Sequence, residues 1–140
     1  MDEALFELIH SVDSFKLANE LNTWAERSGK TQAILLEVNV SGESSKFGLQ
    51  PEDLQSTLSQ INHLSRLDIR GLMTVAPFAE DAEQARPYFR RLRELRDELG
   101  LKELSMGMSH DFEVAVEEGA TMVRIGTAVF GERKKREPSE

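Results

Sequence analysis

Short apolar runs and amphipathic helical stretches alternate along this chain about five times, at a spacing of roughly 30 residues. A strand, a helix and a further strand of the same sheet close as a right-handed crossover, so the strands of such a chain run parallel. The strand-like runs are residues 8–12, 33–40, 68–75, a stretch ending near Ser109, and 121–125. Residues 33–40 are apolar apart from Glu37 and Asn39, as expected of a strand covered on both faces. Asp13 or Ser14 can cap a helix whose Leu17, Leu21, Trp24 and Ala25 share one side, and Gly29 ends it. Beyond a polar loop at 41–48, Pro51 suits the first turn of a helix carrying Leu54, Leu58, Ile61 and Leu64. Ala85, Phe89, Leu92, Leu95 and Leu99 form a third stripe closed by Gly100, with Pro87 required to lie in its first turn. A short helix at about 111–118, a turn at Gly119 and the last strand follow, while residues 1–7 read as the end of an earlier helix. The pattern alone suits both an open doubly wound sheet and most of a (β/α)8 barrel.

The stretch 104–131 carries the chemistry. Ser109 stands where a strand gives way to a helix, and Gly126, lacking a Cβ, lets backbone N–H groups approach a ligand closely. Such places collect unpaired donors and suit a phosphate. Donors after two consecutive parallel strands describe the phosphate site that barrels build after strands 7 and 8, which makes Ser109, Gly126 and Thr127 the candidates. Arg124 lies between Val123 and Ile125; if those two pack beneath the helices, alternation turns Arg124 into the barrel mouth. Each has a plainer reading: a helix cap for Ser109, an ordinary turn for Gly126-Thr127, a bridge between carboxylates for Arg124. Asp13, Glu37 and Asp111 read as caps or interior hydrogen-bond partners. Met73 and Met108 read as core, and Met106 and Met108 as inward-facing.

The segment SMGMSHDFEVAVEEGATMVRIGTAVFGER, together with IHSVDS at 9–14, VNVSGESSKFGL at 38–49 and RGLMTVAP at 70–77, resembles the pyridoxal-phosphate homeostasis protein family. Those proteins are single-domain barrels similar to the N-terminal domain of bacterial alanine racemase. The resemblance runs over nearly the whole chain and decides for the barrel. It implies an α/β fold in which residues 1–140 form one domain, a partial (β/α)8 TIM barrel of about strands 4–8 with a parallel sheet. The length of 140 residues against about 250 for a complete barrel points the same way. It also implies the cofactor pyridoxal 5′-phosphate (PLP), with Ser109, Gly126 and Thr127 at its phosphate and Arg124 at its pyridine nitrogen. A guanidinium accepts no proton, so that pairing leaves the ring a weak electron sink.

The family's role is PLP binding and the balance of vitamin B6 and amino-acid pools, without an established turnover. Its Schiff-base lysine ends the first barrel strand, and this chain is expected to begin around the fourth. PLP binding here is therefore expected to be non-covalent and weak, with no catalytic residue. Lys46 does not replace the missing lysine, because the family motif has a lysine there as well. One alternative is an alanine-racemase-like enzyme fragment, which needs a second acid–base residue, normally a tyrosine; Tyr88 falls on an outer helix. Another is a non-catalytic interaction fragment that completes a split barrel, either with the missing N-terminal half or by self-association through edges at 8–12 and 122–126.

Composition narrows the remainder. With no cysteine there is neither a disulfide framework nor a thiolate metal site, and His10 and His110 each lack a second histidine at ligand spacing. A net charge of −8 argues against general binding to nucleic acid or anionic membranes. The basic ERKKREPSE segment reads as a solvated end. No apolar run has the length of a membrane span and no secretory pattern opens the chain, so a cytoplasmic location is expected.

Overall fold

Five parallel strands lie side by side in the order of the sequence: β1 (Ile9–Val12), β2 (Gln32–Glu37), β3 (Leu67–Met73), β4 (Glu103–Met108) and β5 (Met122–Arg124). The computed structural model describes residues 8–41, 48–77 and 80–124. Between the strands run α1 (Phe15–Ser28), α2 (Pro51–Ile61), a 3-10 turn (Ala82–Ala85) leading into α3 (Arg86–Leu99), and the short α4 (Phe112–Glu117). This is the partial barrel that the family resemblance implies, with strands and helices alternating as the sequence pattern predicts. The segments 1–7, 42–47 and 125–140 contain the expected N-terminal helix end, Lys46, Gly126 and Thr127, which therefore lie outside the described residues.

Local chemistry sets the helix ends. Ser14, not Asp13, caps α1: its hydroxyl accepts from the Leu17 N–H at 3.1 Å. Gly29 and Gly100 close α1 and α3 in the left-handed conformation that terminates helices. Pro87 lies in the first turn of α3 because the helix starts at Arg86, and Ala85 of the periodic stripe belongs to the 3-10 turn before it. Two strands stop earlier than their apolar runs. β2 ends at Glu37, after which Val38 makes one isolated bridge to Leu49, and β3 ends at Met73, leaving Val75 exposed.

One layer of core lies between sheet and helices. Val12, Ile34, Leu36, Leu72, Leu104 and Met106 from the strands meet Ala18, Leu54, Ile61, Phe89, Leu92 and Leu95 from the helices. Phe89 is wholly buried, and cutting a side chain of that size back to alanine costs roughly 3–5 kcal/mol. Met106, expected to face inward, belongs to this outer layer and is fully buried; Met108, expected as core, is partly exposed. The reason is parity. Leu104 and Met106 point one way from β4, so the residue between them, Ser105, points the other.

The pairing is not uniform. From Ile9 to Val12, β1 advances three residues while β2 advances two, from Ile34 to Leu36. An extra residue enters β3 between the partners of Ile34 and Leu35, and another enters β4 between Ser105 and Met108. Such bulges re-aim side chains. The one in β1 lets Ile9 and Val12 both face the helices while His10 turns to the other side of the sheet, where it reaches Ser105.

Gly107 sits in the β4 bulge with φ of +104°, and a Cβ there would come within 2.6 Å of the Ala115 Cβ. Its bare Cα thus allows α4 to lie close on the strand and fixes where the β4–α4 junction opens.

Candidate functional site

The concave side of the half-barrel, opposite the helices, holds a polar group drawn from every strand or the residue just beyond it: His10, Glu37, Thr74, Ser105 and Arg124. Arg124 lies at its centre. Its Nη1 donates to the Ser105 hydroxyl at 2.7 Å and its Nη2 to the Thr74 carbonyl at 3.1 Å. Thr74 is clamped in turn, its hydroxyl donating to the Val38 carbonyl at 2.6 Å and its N–H to the Ser105 carbonyl at 3.1 Å. Ser105 is fully buried and also contacts His10 Nδ1 at 3.2 Å. The guanidinium therefore reaches from β5 across β4 to the residue just beyond β3.

The electrostatics follow from that packing. Burial lowers the Arg124 pKa, while Glu37 and Asp111 act to raise it. Glu37 is pushed up, chiefly by burial and then by the nearby Asp13 charge, with Arg124 pulling the other way. His10 is held below its ordinary value by burial and by the Arg124 charge. The interior thus holds one cation, an imidazole whose pKa is pushed down and a carboxyl whose pKa is pushed up.

Arg124 is where alternation predicts, inside the mouth. It makes no hydrogen bond to a carboxylate among the described residues, so the bridging reading fails; its partners are a hydroxyl and a carbonyl. Ser109 occupies the turn between β4 and α4, exposed and bordering a small pocket of about 210 Å³ with Asp111 and Glu113. It does not cap α4. The turn is fastened instead by Asp111, whose Oδ1 accepts from the Met108 N–H at 2.7 Å. Glu37 lies at the end of β2, as an interior group. Lys16 is exposed on the first turn of α1, while Lys30 and Lys102 precede β2 and β4, at the end of the sheet away from the site. Tyr88 lies on α3, in the layer behind the sheet.

Sequence reasoning missed Ser105, Thr74 and the role of His10. A signal for the first was present: a lone hydroxyl between Leu104 and Met106 has the parity of the interior face. Nothing local marked His10, because its orientation depends on the extra residue in β1.

Arg124 has five N–H donors, and among the described residues only two of them are used. A half-buried guanidinium with donors to spare among the described residues favours an acceptor, and a pyridine nitrogen is one.

Residues 2–134 match the family described as alanine racemase, N-terminal domain. The pyridoxal phosphate homeostasis protein of Aquifex aeolicus is 53% identical over 133 residues, 91% of this chain and 58% of that protein. The chain thus spans about three fifths of that relative's length. Among solved structures, PipY of Synechococcus elongatus PCC7942 with PLP bound superposes with a TM-score of 0.81 and 40% identity, over 90% of this chain and 61% of that one. Alanine racemase of Clostridium difficile 630 shares the fold at a TM-score of 0.67 and 19% identity, over 90% of this chain and 35% of that one.

Proposed function

The chain belongs to the alanine racemase N-terminal domain family, and from that membership we propose that it forms the pyridine-nitrogen side and the phosphate side of a PLP site serving PLP homeostasis. The observation that carries the reading is Arg124, half-buried in the mouth, held by Ser105 and Thr74, and left with unused donors among the described residues. PLP is the cofactor of the PipY structure that shares this fold.

In this reading Arg124 donates to the ring nitrogen. Having no atom that accepts a proton, it leaves that nitrogen unprotonated. Ser109 with Gly126 and Thr127 donates to the phosphate, and the β4–α4 turn stapled by Asp111 presents the serine. Bound PLP supplies an aldehyde reactive toward amines and an electron-withdrawing ring, and the arginine moderates the second property. In this reading the site holds the cofactor without acid–base work on a substrate; the Asp13 charge acts on Glu37, and Glu37 and Asp111 act on Arg124. Among the described residues Lys16, Lys30 and Lys102 do not stand at the site, and in this reading binding to this chain is non-covalent and weak. We place the protein in the cytoplasm, and no helix among the described residues is long and apolar enough to cross a membrane.

Titration of the chain with PLP, pyridoxal and inorganic phosphate, followed by absorbance and equilibrium dialysis, tests the reading. PLP should bind more tightly than either part alone. Equal affinity for PLP and phosphate would remove the ring from the site.

A further inference from the structure

The hydrogen bonds around Arg124 have a direction. A guanidinium only donates, so the Ser105 oxygen accepts from Nη1 at 2.7 Å. The serine keeps its own proton, and it is fully buried. Among the described residues its hydroxyl has one other partner, His10 Nδ1 at 3.2 Å. If Nδ1 carried a hydrogen, the serine oxygen would receive two donors and its own proton would be left without an acceptor, which is costly in a buried site. The satisfied arrangement has a neutral imidazole with its hydrogen on Nε2, the serine donating to Nδ1, and the arginine donating to the serine. Burial and the Arg124 charge favour the same neutral imidazole. Among the described residues the other charges that act at this site are Glu37, Asp13 and Asp111, each on Arg124 or Glu37.

The three groups come from β1, β4 and β5, and both outer members depend on bulges to meet in the middle. Hydroxyl and carbonyl together grip both terminal nitrogens of the guanidinium, which removes its freedom to rotate. For a flat ligand edge, a fixed donor plane binds better than a rotating one, because its ordering cost has already been met in the folded chain.

We propose that Ser105 and His10 are positioning residues for Arg124: the serine hydroxyl, itself oriented by the imidazole, holds the guanidinium plane fixed for the ring of PLP. The proposal rests on the PLP reading of the site. Its first test uses no ligand. In the whole 140-residue chain, nitrogen-15 NMR should resolve Nη1 and Nη2 of Arg124 as separate signals exchanging slowly. Ser105→Ala should speed that exchange at least tenfold, with Ser105→Thr keeping it slow. His10→Phe, which removes the acceptor, should speed it several-fold, whereas His10→Gln should not. An unchanged exchange rate in a folded Ser105→Ala chain would overturn the proposal; if that variant does not fold, the His10→Phe and His10→Gln pair decides in the same way. The second test adds ligand. Ser105→Ala should weaken PLP binding three- to tenfold and leave inorganic phosphate binding unchanged, and unchanged PLP affinity would overturn the positioning role. If the unaltered chain has no affinity for PLP, the cofactor reading falls, and the guanidinium rotation still decides whether Ser105 and His10 hold Arg124.

Discussion

Arg124 Nη1 lies 2.7 Å from Ser105 Oγ although the two residues are not partners in the sheet. The ladder pairs Ser105 with Met122 and Arg124 with Met108, so β4 spends three residues where β5 spends two. The contact therefore joins two levels of neighbouring strands, and the extra residue beside Gly107 sets that offset. A concave face built this way holds a cation that, among the described residues, is bonded to a hydroxyl and a carbonyl and not to a carboxylate.

Arg124→Gln separates the two ends of the proposed ligand. It should weaken PLP binding about tenfold, the scale of one hydrogen bond from a charged group, and leave inorganic phosphate nearly unaffected. Titrations with both ligands check this; a parallel loss for phosphate would put the guanidinium at the wrong end.

Ser109→Ala and Gly126→Val act at the other end. Each should weaken phosphate and PLP together, the first through a lost donor and the second through a Cβ that blocks close approach. Isothermal titration of both variants against both ligands measures it, and a change confined to PLP would contradict the assignment.

Borohydride reduction after incubation with PLP should give only scattered labelling of lysines. Lys16 is exposed on a helix, and Lys30 and Lys102 lie at the far end of the sheet. Stoichiometric labelling at one lysine in a peptide map, Lys46 included, would show a covalent site in this chain.

Behind the sheet, Glu118 is nearly buried and receives Arg86 at 2.7 Å, Arg90 at 3.1 Å and Arg93 at 3.2 Å, tying α3 to the turn after α4. Hydrogen bonds from Arg90 and Arg86 hold its carboxyl down at about 2, against an ordinary value of 4.5. A depressed carboxyl stabilises the fold above its unfolded pKa, so this contribution should be complete above pH 4.5 and drain away toward pH 2. Glu118→Gln should lower the urea midpoint at pH 7 and flatten its decline over that acid window. Parallel pH profiles for the two proteins would show that the arginines contribute nothing.

Gly107→Ala should destabilise the fold by roughly 2–4 kcal/mol, from a strained positive φ and a clash with Ala115 together. Urea denaturation gives the figure. A loss below about 0.5 kcal/mol would mean that α4 can move off the strand at little cost.

The alternation of apolar runs and amphipathic stretches determined five parallel strands with helices between them, the helix ends at Gly29 and Gly100, and the stripe around Phe89. The choice of Ser14 over Asp13 as cap and the strand order came from the tertiary structure. The former are local matters: propensity, capping and periodicity act over a few residues and can be read from them. Parity likewise turned Arg124 into the mouth. What the arginine meets there was not local. Ser105 and Thr74 lie 19 and 50 positions away from it, and His10 is 95 from Ser105. Their meeting depends on bulges that add one residue to β1 and to β4, and a single residue of offset reverses which side chains face inward. Parity within β4 separates Met106 from Ser105, but which residues of β1, β3 and β5 Ser105 meets was fixed by strand partners across the sheet, and no stretch of sequence contains both partners.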